Sequence, residues 1–349
     1  MGPFNRAQAR RAIAVLCSIA LTLLAGCDDP GQKQASAAQA TDWSKVKLIL
    51  GDQAKGLRTI VEASKAFDGT PYQIEWANFQ GAAPLFEALR AGAVDLAPAG
   101  DTPVLAAATG GTPLRIVAVR RGQGRSIGIL VPQDSDIKTI ADLKGRSVSI
   151  SSARGSISQY LLIRALENAG VKESDVNIGF VMPTDALSAF HAGKIDAWAT
   201  FGIYQAFAEE SGARLLLSGE GINTGLTFIT ASDAALADRV KRQALNDVLQ
   251  RLAKAFEWAK ANPEQYAQVF STANNVPLAV SQRLQSWGIE SLLPLEQSDI
   301  TALQGVDDLF VEKKLFPKPV QVSGLVDREV FPSAHGVLLK QVAGEAGSR

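Results

Sequence analysis

Short apolar runs alternate with segments of helical periodicity from residue 46 onward. The runs predict buried strands, and the segments between them, with apolar residues on one face, predict helices. Such alternation is typical of a mostly parallel sheet with helices on both faces. In this first block we expect strands at 46–50, 72–76, 94–98 and 115–119, and helices at 57–66, 84–91 and 102–110.

The same alternation repeats in a second block. Leu162, Ala165, Leu166 and Ala169 follow a helical spacing and form one apolar stripe. Two such blocks predict an α/β fold with two lobes. The strands of the second block are expected at 147–150, 177–181, 195–199 and 214–217, and its helices at 157–169, 186–192 and 204–210.

Longer helices follow a last predicted strand at 226–230. One helix is expected over 237–261, a second opens at Pro263, and a third covers 300–311. The tail from Phe316 is irregular, so no further element is predicted there.

The N-terminus has the layout of a secretory signal. Three arginines precede an apolar run at 12–24, which is shorter than the roughly 20 residues that a membrane-spanning helix needs. The run ends in Leu-Ala-Gly-Cys, which resembles the lipobox of bacterial lipoproteins, with Cys27 as the lipidated residue. We expect a signal peptide over 1–26 and a lipidated flexible tether over 27–42, held at the inner membrane because Asp28 resembles a retention signal. An ordinary secretory signal with an incidental cysteine is the alternative.

Composition excludes several classes of function. Loss of the signal would remove three arginines and no acid, so the net charge would move from zero to −3, with no basic excess for nucleic acid. Cys17 would leave with the signal and Cys27 would be the anchor, so no thiol would remain for a disulfide. His191 and His335 are the only histidines, which leaves little material for a metal site.

Sequence motifs of common enzymes are missing. The chain has no G-x-x-x-x-G-K-[ST], no H-E-x-x-H and no G-x-S-x-G. Gly122-x-Gly124 has the wrong spacing for a dinucleotide loop and lies between two predicted strands, so we interpret it as a flexible connection between lobes. These absences favour a binding protein over an enzyme.

Candidate binding residues follow the predicted strands, where open α/β sheets bind their ligands. Ser156 and Gln159 fit a capping box, and Arg154 precedes them. A helix N-terminus and an arginine both attract anions, so this loop predicts an anion site; alternatively, Ser156 only caps its helix and Arg154 points to solvent. Trp198 is expected to wall a pocket or to belong to the core, and Thr102 to bind ligand or to act as an ordinary N-cap. The other candidates here are Gln53, Phe79, Gln80, Asp101, Gly155 and Ser158.

Four stretches carry a specific resemblance: LFEALRAGAVDLAPAGDTP, ILVPQDSDIKTIADLKGRSVSI, SQYLLIRALENAGV and DALSAFHAGKIDAWA. From Val46 to Ala234 the chain is similar to the periplasmic substrate-binding proteins of ABC importers for aliphatic sulfonates, taurine and nitrate. The resemblance implies a two-lobed, type II-like periplasmic-binding-protein fold with the ligand in the cleft between the lobes and no cofactor.

The resemblance also implies two hinge crossings, near 121–130 and 218–226. Lobe 1 would then consist of 43–124 and 219–349, and lobe 2 of 125–218. Carried over by position, the ligand shell of the family falls on Gln53, Phe79, Asp101, Thr102, Gly155, Ser156, Ser158, Trp198 and Thr224.

In that shell the hydroxyl and amide groups would donate to anionic oxygens, Phe79 and Trp198 would form apolar walls, and Asp101 would be a counter-charge or hold water.

This chain departs from the family pattern, because Phe201-Gly202-Ile203 stands where members often carry Trp-Asp-Pro. Gly202 removes a carboxylate and opens space beside Trp198, which favours a bulkier or less polar ligand. An aspartate at 101 beside an anion favours a zwitterion such as taurine. Members also often carry an aromatic residue where Asp52 stands.

We therefore expect a monomeric binding protein, not an enzyme, that captures a small organic anion, above all an aliphatic sulfonate. It would deliver this ligand in the periplasm to an inner-membrane ABC permease driven by a cytoplasmic ATPase. Uptake of taurine, nitrate or a thiamine-pyrimidine precursor would use the same cleft. An enzyme on this fold would need a nucleophile or covalent cofactor, and a ligand-sensing domain would normally need a DNA-binding segment or a membrane span.

Overall fold

The computed structural model describes residues 41–332. In that range ten strands form two five-stranded sheets. The strands are β1 (Lys47–Gln53), β2 (Gln73–Phe79), β3 (Leu96–Gly100), β4 (Leu114–Arg121), β5 (Ile127–Val131), β6 (Ser147–Ile150), β7 (Asn177–Phe180), β8 (Ala197–Phe201), β9 (Arg214–Ser218) and β10 (Leu226–Ser232). The helices are α1 (Gly56–Ser64), α2 (Ala82–Arg90), α3 (Asp101–Thr109), α4 (Ile157–Asn168), α5 (Pro183–His191), α6 (Gly202–Glu210), α7 (Asp233–Ala237), α8 (Arg239–Ala261), α9 (Pro263–Asn274), α10 (Leu278–Ser286) and α11 (Gln297–Glu312).

Both sheets have the same mixed design. The first has the strand order β2-β1-β3-β10-β4, in which β10 runs antiparallel to its neighbours β3 and β4. The second has the order β7-β6-β8-β5-β9, in which β5 runs antiparallel to β8 and β9. In each sheet the antiparallel strand is the one that enters after the chain has crossed from the other sheet. We call the first sheet with its helices lobe 1 and the second with its helices lobe 2; the predicted two-lobed α/β fold is confirmed.

Each sheet is covered on both faces by apolar helix surfaces. In lobe 1, α1 and α8 pack with Leu48 and Leu50 of β1 on one face, and Leu85, Val104 and Phe310 lie in the cluster on the other. In lobe 2, α4 packs on β5 and β8, and α5 and α6 cover the opposite face. These cores hold the strand ends in place, and the strand ends carry the site.

Several element boundaries differ from the sequence-based prediction. The expected helix at 237–261 begins at Arg239, because the Asp238 carboxylate accepts hydrogen bonds from the backbone N–H groups of Val240 (2.8 Å) and Lys241 (3.0 Å). That side chain caps α8 and separates it from the short α7. Strand β5 and helix α10 were not predicted from the sequence.

Two segments, 122–126 and 219–225, join the sheets and run side by side. The backbone N–H of Gly122 donates to the carbonyl of Gly225 at 2.9 Å. Gly225 has φ +71°, and a Cβ atom there would lie 2.2 Å from the carbonyl oxygen of Gly122. At Gly124, with φ +76°, a Cβ would lie 2.7 Å from the carbonyl oxygen of Gly219. The crossing segments therefore approach more closely than side chains would allow.

Asp52, at the end of β1, supplies the cap that α1 lacks locally. Lys55, the N-cap residue of α1, makes no side-chain cap bond, and the buried Asp52 carboxylate instead accepts from the backbone N–H groups of Leu57 (3.0 Å) and Arg58 (2.9 Å). Burial raises the pKa of Asp52 to about 6, against the opposing effect of these hydrogen bonds.

We predict that Gly225→Ala destabilises the protein more than Gly221→Ala does. Both residues have a positive φ, +71° and +72°, so each alanine pays a left-handed backbone penalty of about 1 kcal/mol. Only position 225 adds a backbone clash, of about 1–3 kcal/mol, because Gly221 has no atom within 4 Å of its Cβ position. Urea denaturation measures both free energies of unfolding, and equal losses would contradict the close approach.

We predict that the stability contributed by Asp52 falls as pH rises from 4 to 7. A folded-state pKa of about 6, above the ordinary value of 3.8, means that the native state binds the extra proton in this interval. Relative to Asp52→Asn, the wild-type free energy of unfolding should therefore drop by up to about 3 kcal/mol, measured by urea denaturation at each pH. A difference between the two proteins that stays flat with pH would refute the raised pKa.

Candidate functional site

A cavity of about 470 Å³ lies between the lobes. Its walls come from both lobes and from both crossing segments, including Gly122, Gln123, Gly124 and Gly225. Sites for small organic ligands typically enclose about 300–1,000 Å³, so this cavity has room for one such molecule.

The N-terminal ends of five helices reach the cavity. Strands β3 and β8 lead into α3 and α6 without an intervening residue, and β1, β2 and β6 reach α1, α2 and α4 through short loops. Because the parallel strands of each lobe end at the cleft, the helices that follow them all begin there. Helix N-termini carry partial positive charge, so their convergence favours a bound anion. The Asp52 carboxylate already accepts from two N–H groups at the start of α1, and the Asp101 carboxylate accepts from one at the start of α3. The cavity residues at these helix starts are Gly56, Ala82, Asp101, Ile157 and Gly202.

Two of these helix starts are left without a side-chain cap. The N-cap residues of α2 and α6 are Gly81 and Phe201, and neither makes a side-chain cap hydrogen bond. At α4, the Ser156 hydroxyl accepts from the N–H of Gln159 at 3.3 Å, so Ser156 does cap its helix while also lining the cavity. The Gln159 side chain accepts from the N–H of Gly155 at 2.7 Å, one residue before the partner expected in a capping box.

Six of the predicted site residues line the cavity, and five do not. Thr102, expected as an N-cap, is the second residue of α3, because the helix starts directly at the end of β3 with Gly100 as its N-cap. The residues on the cavity wall are Gln53, Gln80, Asp101, Arg154, Gly155 and Ser156. Those outside it are Phe79, Thr102, Ser158, Trp198 and Thr224.

Trp198 lies in the core of lobe 2. Of the two predicted locations, a pocket wall or the core, it takes the core. Its side chain is fully buried, its indole N–H donates to the Ser151 hydroxyl at 2.8 Å, and its ring packs on Phe190 at 5.8 Å between centroids. In this conformation Trp198 therefore supports the loop after β6 from behind and does not form the cavity wall. The buried hydroxyls of Thr102 and Ser158 have no hydrogen-bond partner among residues 41–332.

Asp101 connects α3 to the second crossing segment. The Thr224 hydroxyl donates to Oδ2 of Asp101, and the backbone N–H of Thr102 donates to Oδ1 at 2.6 Å. Only 2% of Asp101 is exposed, and burial raises the pKa of this carboxyl. Thr224 thus acts on the site through Asp101. Gln53 lies nearby and uses one amide N–H to bond the carbonyl of Pro98 at 2.7 Å.

Arg154 is the cavity arginine without an acidic partner in the described part of the chain. Its guanidinium lies over the ring of Phe180, 4.8 Å from the centroid, and its side chain is exposed. The other cavity arginines are neutralised: Arg90 pairs with Glu87 and Arg125 with Glu220, both at 2.7 Å, and Arg120 pairs with Glu290 at 3.4 Å. Arg154 therefore supplies uncompensated positive charge beside the cavity, with its guanidinium held on the side of Phe180, which does not line the cavity.

Contacts between the lobes surround the cavity. The Thr184 hydroxyl of lobe 2 donates to the Gln80 side chain of lobe 1 at 3.1 Å, and the Tyr204 hydroxyl donates to the Gln80 carbonyl at 3.5 Å. On another side, Tyr160 of α4 stacks on Phe310 of α11, with centroids 6.0 Å apart. The two lobes are thus in contact at both places.

Sequence reasoning missed the part of the cavity wall that comes from the helices after β10. Their aromatic residues follow helical spacing, which is the pattern of an ordinary core, so no local signal sets them apart. Arg120 could have been noticed, since it lies two residues before the predicted crossing glycine Gly122. The missed wall residues include Arg120, Phe256, Tyr266, Phe270, Trp287 and Glu290.

Residues 41–332 contain neither a membrane-spanning helix nor a metal-binding cluster. No helix in this range is both long and apolar enough to span a membrane. The same range contains no cluster of three or more histidine, cysteine or acidic side chains that could hold a metal ion.

Known proteins are similar to this chain in sequence and in architecture. A protein of Escherichia coli (strain K12) named as an aliphatic sulfonates-binding protein is 32% identical over 291 residues, covering 82% of this chain and 90% of that protein. The structure of the alkanesulfonate-binding protein SsuA from Xanthomonas axonopodis pv. citri, bound to MOPS, matches with a TM-score of 0.75 and 30% identity, covering 83% of this chain and 100% of that one.

A more distant match carries information on fold alone. The desulfurization enzyme DszB has a TM-score of 0.63 at 15% identity, over 81% of this chain and 97% of the enzyme.

The family described as NMT1/THI5 like matches residues 79–266, which is more than half of the sequence. Together with the E. coli relative, this match shows that the chain belongs to the NMT1/THI5-like family.

Proposed function

We propose that this protein is the substrate-binding component of an ABC importer and that it captures an organosulfonate between its lobes. The observation that carries the proposal is the convergence of five helix N-termini and the unpaired Arg154 on one cavity. The names of the relatives, which are sulfonate-binding proteins, support the same ligand class.

The geometry supports capture without chemical change of the ligand. A sulfonate presents three oxygens, which the N–H groups at the starts of α2 and α4 and the guanidinium of Arg154 can share. Micromolar affinity requires about −8 kcal/mol, which a few charge-assisted hydrogen bonds in a closed cleft can supply after the cost of ordering. Release to the permease then requires only that the cleft opens by rotation of the lobes about the crossing segments.

The volume of the cavity distinguishes nitrate from the larger candidate ligands. Nitrate has only four heavy atoms and would leave most of about 470 Å³ unfilled, so an organic anion fits better. Taurine is itself a short sulfonate, so it belongs to the proposed ligand class, whereas a pyrimidine precursor does not. The likeness to DszB concerns the fold alone, so the proposed role is that of a binding protein.

We further propose that the protein works in the periplasm as a monomer tethered to the inner membrane through a lipid on Cys27. The predicted signal peptide, Cys27 and nearly all of the tether lie outside the described residues. Two or more acyl chains give stable anchoring, which would keep the binding protein close to its permease and the cytoplasmic ATPase.

We predict that Arg154→Gln weakens sulfonate binding by about tenfold to a hundredfold, because a hydrogen bond to a charged group contributes about 1.5–3 kcal/mol. Isothermal titration of the purified mature chain with ethanesulfonate, hexanesulfonate, taurine, nitrate and hydroxymethylpyrimidine measures this loss. The matched control is Arg164→Gln, since Arg164 lies on α4 and pairs with Glu167 at 2.9 Å. Binding of nitrate or the pyrimidine but of no sulfonate would refute the proposed ligand class, and equal effects of the two variants would refute the role of Arg154.

We predict that Cys27→Ser moves the protein from the membrane fraction to the soluble periplasmic fraction, because the residue that carries the acyl chains is lost. Fractionation of cells that express the full chain measures the distribution, and titration measures the affinity. The affinity for ligand should not change, since the cavity is built from described residues far along the chain. A Cys27→Ser protein that has lost residues 1–26 and still stays in the membrane fraction would contradict the lipid anchor.

A further inference from the structure

The cavity has a second, apolar region that the anion does not need. Its walls in lobe 1 are Leu57 and Ile60 of α1, Phe256 of α8, Tyr266 and Phe270 of α9, and Trp287 at the end of α10. Four of these six side chains are aromatic. We call this region the aromatic compartment.

Lobe 2 closes the aromatic compartment through the start of α6. Ile203 lines the cavity and packs against the apolar cluster of lobe 1 to which Phe256 and Phe270 belong. The preceding residue, Gly202, has φ +56° and no atom within 4 Å of its Cβ position. The start of α6 therefore leaves open space on the cavity side, where a side chain would otherwise stand.

The charges of Arg120 and Glu290 in this region offset each other. The anionic group of the ligand is therefore expected at the other end of the cavity. The guanidinium of Arg120 lies over the ring of Phe256, 4.6 Å from its centroid, and pairs with Glu290 at 3.4 Å. Glu290 and Phe256 thus offset the charge of Arg120, although its buried Nε–H group has no hydrogen-bond partner among residues 41–332. The sulfonate would bind at the helix N-termini beside Arg154, and the rest of the molecule would extend into the aromatic compartment.

A short alkanesulfonate does not fill such a cavity. The cavity has about 470 Å³, in the range of sites for drug-sized ligands, whereas ethanesulfonate has six heavy atoms. Apolar walls left against water or empty space forgo the burial and dispersion gains that bind ligands in pockets. Aromatic rings gain further from flat partners in stacked or edge contacts.

We propose that the ligand is a sulfonate with a large apolar group, an arenesulfonate, whose ring occupies the aromatic compartment. This inference rests on the proposed function and names the substrate class within it. The ring contacts the aromatic residues of lobe 1 and Ile203 of lobe 2, so the same ligand group links the lobes in the closed state.

The test is isothermal titration of the mature chain with naphthalene-2-sulfonate and ethanesulfonate. Each buried CH2-sized group contributes about a fourfold gain in affinity, so the naphthalene compound should bind at least about thirtyfold more tightly. Equal or weaker binding of naphthalene-2-sulfonate, with ethanesulfonate still bound, would overturn the aromatic compartment and leave the proposed function intact. If neither compound binds, the proposed function itself fails.

Two variants on opposite walls assign the effect to this region. Trp287→Ala and Ile203→Ala should each reduce the affinity for naphthalene-2-sulfonate by about tenfold and change that for ethanesulfonate by less than about twofold. Both residues are half-buried, so if one variant fails to fold, the other remains as the test. The matched control is Trp258→Ala on α8, which is also half-buried but does not line the cavity. Equal losses for both ligands, or a loss in the control as large as in the variants, would overturn the assignment.

Discussion

Gly122 and Gly225 lie side by side where the chain passes between its lobes, and their backbone hydrogen bond fixes how the two sheets face each other. Because both segments are short and in direct backbone contact, the lobes can rotate about them but cannot move apart. The strand ends of lobe 1 are therefore held opposite those of lobe 2. The arrangement of the cavity follows from this placement, since five of the helices that begin at those strand ends reach it.

The cavity divides its chemistry between two ends. At one end, the uncapped start of α2 and the unpaired Arg154 leave positive potential that the protein does not neutralise. At the other end, Arg120 is covered by Phe256 and paired with Glu290, so aromatic surface dominates. An amphiphilic anion matches both ends at once, whereas an inorganic anion would match only one.

Much of the fold could be predicted from the sequence, because the strand and helix periods are local properties of the chain. The positions of Gln53, Asp101 and Ser156 on the cavity wall could be predicted for the same reason, because ligands of open α/β folds bind at the carboxyl ends of the strands. Trp198 shows where such reasoning stops. Its place at a strand end is compatible with either face of the sheet, and only the packing of Phe190 behind it decides that it belongs to the core.

The aromatic compartment could not be predicted for a different reason. Phe256 and Tyr266 lie in the long C-terminal helices, far along the chain from Leu57 and Gly202, and their helical spacing is that of any buried helix face. Their exposure to a cavity depends on how α8 and α9 pack against α1, which is a tertiary property. The departure of Gly202 from the family pattern was the one local indication of extra space.

A crystal structure of the protein with naphthalene-2-sulfonate would show the orientation of the ligand in the cleft. We expect the sulfonate oxygens to accept hydrogen bonds from backbone N–H groups at the starts of α2 and α4 and to lie near the guanidinium of Arg154, with the ring against Phe256 and Trp287. A sulfonate paired with Arg120, or a ligand bound outside the cleft, would contradict this expectation.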